Sequence, residues 1–318
     1  MEARSASRLP EGEGWRFEPK WDGFRCLAAK EGARVELHAK SGKPLGRYFP
    51  EVVARLAAVE AERFLLDGEL LIELEGAPSF EALQMRLHPA ESRIRKLSAQ
   101  APAVLALFDM LLSPAGEDLR PLPWRRRHAA LEAFVARHGD DALRLTPGTE
   151  DRGAAERWLA AGRLEGVVAK RADGPYLEGE RAMVKVKRLR TADCVVGGFR
   201  FAAGSQSKIG SLLLGLYDER GRLDHVGHTS GLAAVDRDDL TRQVMALRGG
   251  VGFSGDAPGG PSRWSTERST EWTPLKPELV VEVSYDHVSG GRFRHGTRLL
   301  RLRPDKAPDQ CTMDQLAQ

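Results

Sequence analysis

The 318-residue sequence predicts an α+β protein of mostly antiparallel sheets with flanking helices, followed by a small closed β-barrel. Three observations carry that expectation. At about 150 residues per domain, the length suggests two domains. In residues 1–190 strand-like apolar runs outnumber helical patterns and do not alternate regularly with them, which disfavours a doubly wound parallel sheet. After Arg190 the pattern turns almost wholly to strands, so the expected domains are 1–190 and 191–318.

Along the first domain the apolar runs Trp15–Phe17, Phe24–Ala28, Val35–His38, Phe64–Ile72, Val104–Leu112 and Gly166–Lys170 read as strands. Between them Pro50–Val59, Phe80–Leu87, Arg126–His138 and Ala154–Ala161 carry helical patterns. In the second domain Cys194–Phe199, Ser211–Tyr217, Leu223–His228 and Leu279–Val288 read as strands, with one helix at Asp236–Leu247. Several strands with a single helix suit the OB-fold. The Gly/Pro/Ser-rich stretch Gly249–Arg263 reads as a long loop within that domain.

Composition narrows the classes. Hydrophobic residues at 42% and charged residues at 29% describe an ordinary globular chain with material for real cores. The net charge of +3 is weak evidence for any partner. It lies wholly in residues 1–190, because basic and acidic residues balance from Thr191 to Gln318. Three well-separated cysteines, Cys26, Cys194 and Cys311, argue against a disulfide framework or a cysteine-rich zinc site. No run approaches twenty apolar residues and Met1–Gly14 has no signal-peptide core, so a soluble, cytoplasmic protein without a membrane partner is expected. The eight histidines show no metal-ligand spacing.

The most informative stretch is Glu18-Pro19-Lys20-Trp21-Asp22-Gly23-Phe24-Arg25. A lysine ends one strand, Asp22-Gly23 turns the chain, possible as a hairpin, and Arg25 starts the next strand pointing back toward Lys20. A lysine amine, with an ordinary pKa of about 10.4, becomes a nucleophile near neutral pH only where its cation is disfavoured. Burial or neighbouring cations do that. Lys185 and Lys187 are such cations, sharing one strand face with Met183 while Val184 and Val186 face away. Glu69 in Asp67-Gly68-Glu69-Leu70, and Glu165 in Glu165-Gly166-Val167-Val168-Ala169-Lys170, each stand beside a glycine at the edge of an apolar strand. Lysines to neutralise phosphates and carboxylates to hold Mg²⁺ are the equipment of phosphoryl or nucleotidyl transfer.

In this order, these residues resemble the covalent nucleotidyltransferase superfamily of ATP-dependent DNA ligases, RNA ligases and capping enzymes. Lys20–Arg25 matches its K-x-D-G-x-R nucleophile motif, and Phe108-Asp109, Glu165–Lys170, Lys185–Lys187 and Arg303-Pro304-Asp305-Lys306 follow in the superfamily's sequence. Arg47–Glu51, Phe80–His88 and Thr191–Gly198 look more narrowly like short bacterial ATP-dependent DNA ligases of the LigC and LigD kind. The alternatives are an RNA ligase or capping-type enzyme, or a non-catalytic OB-fold nucleic-acid-binding protein.

The resemblance implies an adenylation domain followed by an OB-fold domain, with ATP and Mg²⁺ (or Mn²⁺) as cofactors. It implies that Lys20 takes AMP onto itself and passes it to the 5′-phosphate of nicked double-stranded DNA, in repair. By the same likeness Glu18 reads the adenine edge and Phe108 stacks on the base. Arg25 and Glu69 hold the ribose, and Glu69 and Glu165 serve a metal. Lys185 and Lys187 contact the α-phosphate. Arg303 and Lys306 orient the β- and γ-phosphates, with domain closure about a hinge near Arg188–Thr191. Lys40 and Arg47 contact DNA; Lys40 stands where arginine is common, and Met183 where tryptophan is. A Pro-Met-Leu-Ala segment often precedes the nucleophile; it is absent before Trp15, so that edge of the site is expected to be truncated or built differently. Further basic clusters that could contact phosphates are Arg120 with Arg125–Arg127, Arg93 with Arg95 and Lys96, and Arg292, Arg294, Arg298 and Arg301. A monomer is expected, placed at the nucleoid, with Ku or another repair protein as a possible partner.

Overall fold

Backbone pairing sorts the strands of the first part of the chain into two sheets. The computed structural model describes residues 1–161, 164–259 and 271–316. It divides into two units, Met1–Arg188 and Leu189–Gln318. The strands of the first unit are β1 (Ala3–Ala6), β2 (Trp15–Lys20), β3 (Phe24–Glu31), β4 (Arg34–Ala39), β5 (Arg63–Leu74), β6 (Ala77–Pro78), β7 (Ala103–Leu112), β8 (Leu143–Leu145), β9 (Gly166–Arg171) and β10 (Met183–Lys187). Its helices are α1 (Pro50–Ala57), α2 (Phe80–Arg86), α3 (Glu91–Gln100), α4 (Trp124–His138) and α5 (Arg152–Ala161). One sheet runs β1-β10-β9-β2, and the other runs β4-β3-β5-β7-β8 with β6 on β5.

Each sheet has its own core. Phe17, Val167, Ala169, Val184 and Val186 of the first sheet bury against Leu9 and Ala155 of α5. The second sheet contributes Cys26, Leu37, Leu66, Leu70 and Leu107, which close on Val52 and Leu56 of α1 and Leu131 and Phe134 of α4. Each Val, Leu or Phe side chain among these, fully buried, is worth about 1.5–3 kcal/mol. The inward Val184 and Val186 leave Met183, Lys185 and Lys187 on the other face of β10, as alternation requires.

Asp22-Gly23 proves not to be a hairpin turn. Strand β2 pairs with β9, whereas β3 pairs with β4 and β5, so the turn carries the chain from one sheet to the other. The crossing is tight: a Cβ at Gly23 would lie 2.3 Å from the Leu70 carbonyl oxygen, which only glycine tolerates. Lys20 at the end of one sheet and Arg25 at the start of the other therefore face a common cleft.

In the second unit the strands are β11 (Arg190–Phe201), β12 (Ile209–Tyr217), β13 (Leu223–Gly231), β14 (Thr273–Pro274), β15 (Val280–Tyr285), β16 (Val288–Ser289), β17 (Arg292–Phe293) and β18 (Thr297–Leu302), with α6 at Arg237–Ala246. Because β12 pairs with both β13 and β11, the order β12-β13-β18-β15-β11 closes into a five-stranded ring. Closure removes free sheet edges, and the ring, with one α-helix among the described residues, is an OB-type barrel. Asp236 caps α6, its carboxylate accepting from the amides of Asp238 and Asp239.

The α+β class with a β-barrel is as expected; several details differ. The expected strand Leu279–Val288 is β15 followed by the separate short β16. The helix expected from Arg126 begins at Trp124. Residues 249–259 of the expected loop contain no helix or strand, and 260–263 lie outside the described residues.

Candidate active site

Lys20 ends β2 at the wall of a cavity of about 430 Å³ in the first unit. Glu18, Arg25, Lys40, Glu69, Phe108 and Lys185 line the same cavity. The Lys20 ammonium pairs with Glu165, whose other oxygen accepts from Lys187 Nζ at 2.9 Å. The sequence reading grouped Lys20 with two lysines and two carboxylates but gave Glu165 to a metal; the structure sets it between Lys20 and Lys187. Burial pushes the Glu165 carboxyl up, but Lys20 and Lys187 together outweigh that and hold it below the usual range. Glu165 precedes β9, and the glycine after it is required by a close approach. A Cβ on Gly166 would stand 2.3 Å from the Val186 carbonyl oxygen.

Lys185 is the cation of this wall whose charge is disfavoured, first by burial and then by Lys187 and Lys20. Across the cavity, burial pushes the Glu69 carboxyl up to about 8 against the opposing pull of Lys20 and Arg25, with Asp67 and Glu165 adding to the rise. Glu165 is answered by two lysines, whereas Glu69 lines the cavity with its carboxyl raised. Among the described residues no three His, Cys, Asp or Glu side chains gather as a metal site. Glu69 and Glu165 thus fit a hard divalent cation that takes its remaining oxygens from phosphate and water.

Glu18, Phe108 and Lys170 form another part of the cavity wall. Glu18, only 3% exposed, accepts from Lys170 Nζ at 2.7 Å through one oxygen, while its other oxygen is buried without a partner among the described residues. Burial raises the Glu18 carboxyl, with Lys170 opposing. Lys170 also donates to the Phe108 carbonyl at 3.1 Å and lies 4.5 Å from the centre of the Phe108 ring. Sequence reasoning gave Lys170 no role, although it closes the motif that Glu165 opens.

Arg25 is fixed by a fork onto Asp67, with Nε to Oδ1 at 3.0 Å and Nη2 to Oδ2 at 2.7 Å. The Tyr176 hydroxyl donates to the same Asp67 oxygen at 2.7 Å. Neither Asp67 nor Tyr176 was anticipated. The edge expected to be truncated or differently built is supplied by β1, which runs parallel to β10 and brings Glu2, Ala3, Arg4 and Ser5 to the cavity.

The remaining expected residues lie elsewhere. Arg47 lines an adjoining groove together with Lys40, Arg25 and Glu69. Arg303 and Lys306 belong to the second unit, where both pair with Asp193 and Arg303 also pairs with Asp305. Among the basic clusters, Arg127 is fully buried in a fork onto Asp109 and cannot reach DNA. Arg120 is held by Asp118 and Glu178, Arg95 by Glu91, and Arg301 by Glu282.

Comparison with known proteins agrees with this geometry. The ATP dependent DNA ligase domain matches residues 3–187, and the ATP dependent DNA ligase C terminal region matches residues 205–306. DNA ligase C1 of Mycolicibacterium smegmatis is 43% identical over 99% of this chain and 92% of its own length. DNA ligase C of Mycobacterium tuberculosis is 40% identical, again over 99% of this chain and 92% of its own. A solved Lig E DNA ligase structure, 15% identical, covers 95% of this chain and 100% of its own with a TM-score of 0.58, a likeness of fold.

Proposed function

The chain belongs to the ATP-dependent DNA ligases, and from that membership we propose that it seals nicks in duplex DNA by carrying AMP on Lys20. The observation that carries this reading is the placement of Lys20 in one cavity with Lys185, Glu69 and Phe108, bonded to Glu165. In the first step the Lys20 amine, relieved of its proton, attacks the α-phosphorus of ATP. A nitrogen–phosphorus bond forms and the bond to pyrophosphate breaks. AMP then passes to the 5′-phosphate at the nick, restoring the amine. Attack by the 3′-hydroxyl on that activated phosphate joins the strands and releases AMP.

Each residue has a task in these steps. The Glu165 carboxylate aims the Lys20 side chain, and Lys185 and Lys187 offset charge that grows on the α-phosphate. Phe108 offers a ring face to the purine. The second oxygen of Glu18, which has no partner among the described residues, would accept from the exocyclic amine of adenine. Arg25 and Glu69 orient the ribose. A divalent cation, held by Glu69 and Glu165 when bound, would neutralise phosphate oxygens. Arg303 and Lys306 orient the β- and γ-phosphates, and Lys40 and Arg47 meet the DNA backbone. Work in DNA repair follows from the chemistry of nicks.

The direct test is joining. Purified protein with ATP and a divalent cation should convert a nicked DNA duplex to the sealed product, and GTP should not replace ATP. Absence of joining with every such cation, or equal joining with GTP, contradicts the reading.

A further inference from the structure

The segment Glu2–Ser5 lines the nucleotide cavity. Glu2 is pinned by its own backbone, its amide donating to the Glu180 carbonyl at 2.7 Å and its carbonyl accepting from the Met183 amide at 3.0 Å. Just before it, the Met1 carbonyl accepts from Arg25 Nη1 at 2.5 Å. So fixed, Glu2 extends its carboxylate from the first sheet to Lys40 at the end of β4 in the second, with Oε1 to Nζ at 2.9 Å. The hydrogen bond from Lys40, with the charges of Lys40, Arg181 and Arg25, holds the Glu2 carboxyl below the usual range, so it is anionic at neutral pH.

Lys40 stands at a seam. It lines the nucleotide cavity and also a groove of about 960 Å³ that adjoins it through Arg25 and Glu69. That groove has an apolar floor of Phe24, Leu45 and Tyr48 and carries Lys40, Lys43 and Arg47. Apolar surface bordered by cations and continuous with the nucleotide cavity is complementary to a nucleic-acid strand, with sugar against the floor and phosphate against the cations. Glu2 is the carboxylate that answers Lys40 there. An ion pair with its lysine side chain 59% exposed is weak and readily exchanged.

We propose that Glu2 is a displaceable counter-ion for Lys40, and that a backbone phosphate of the nicked duplex takes its place as the strand enters the groove. This rests on the ligase reading and adds to it a positioning residue that sets how strongly the nick is held. Before DNA arrives Glu2 keeps Lys40 at the seam and repels a stray phosphate. On exchange Lys40 gains the phosphate and Glu2 turns to solvent.

The test is binding of a nicked duplex carrying an unreactive 3′ end, measured across salt concentrations with the full chain. Glu2→Gln should bind about two- to fivefold tighter than the parent, the range set by the strength of an exposed ion pair. Its plot of log affinity against log salt should keep the parent's slope, since both proteins make the Lys40–phosphate contact once bound, whereas Lys40→Ala should be shallower by about 0.9, one phosphate contact. Glu2→Asp should return binding toward the parent, and Lys40→Ala combined with Glu2→Gln should abolish the gain. Unchanged affinity in Glu2→Gln, or a gain that survives Lys40→Ala, overturns the proposal. Covalent AMP formation by the parent is measured alongside. A parent that forms none fails the ligase reading, whereas a competent parent with an inert Glu2→Gln fails this inference alone.

Discussion

Glu69 shows how the cavity stores a charge imbalance. Its carboxyl is raised to about 8 by burial, against an ordinary 4.5. Between those values the folded state holds a proton that the unfolded chain has lost, so this group's contribution to stability falls as pH rises from 4.5 toward 8. Melting temperatures of the parent and Glu69→Gln across that window should show the parent losing ground relative to the variant, then running parallel above it. A constant difference contradicts the assignment. The proposed nucleophile is readable in the sequence because Lys20, Asp22, Gly23 and Arg25 occur as one local motif. Asp67 and Tyr176 are not, because they meet Arg25 across separations of 42 and 151 residues that no spacing encodes.

Helix α4 is tied to β7 by a single buried fork. Arg127 is 0% exposed and Asp109 1%, each satisfying the other. Arg127→Ala leaves a carboxylate buried without its cation, which costs about 3–5 kcal/mol. Thermal unfolding of that variant should fall well below the parent's, and a change within about 0.5 kcal/mol, as for a surface position, contradicts the burial. The sequence reading put Arg127 in a cluster that could contact phosphates because a run of arginines looks the same whether or not one turns inward. Elements were legible where apolar runs were long, as in β5 and β7. Strand β1 was missed because Ala-Arg-Ser-Ala has no such run, and α3 because only Ile94 is buried along it. Arginines within β18 hid its apolar residues in the same way. The sheet change at Asp22-Gly23 was invisible because the residues of a turn do not reveal which partners its flanking strands take.

The two units have separate cores. The first holds the cavity that Lys20 lines, and the second carries Arg303 and Lys306, gathered by Asp193. If these cations orient the β- and γ-phosphates, they matter while pyrophosphate is leaving and not afterwards. Arg303→Ala should therefore slow transfer of AMP to the enzyme far more than joining of DNA that already carries AMP. Equal slowing of both steps contradicts that role. The barrel was legible from the strand count and lone helix; its closure through β12 and β11 was not, since the ring depends on which strands meet.

All of this chemistry turns on where the nucleotide becomes attached. Mass spectrometry of the protein after incubation with ATP and a divalent cation, followed by peptide mapping, locates the attachment. One added AMP on Lys20, removed by pyrophosphate and absent from Lys20→Ala, is the expected result. An adduct mapped to another residue, or formed equally by Lys20→Ala, contradicts it.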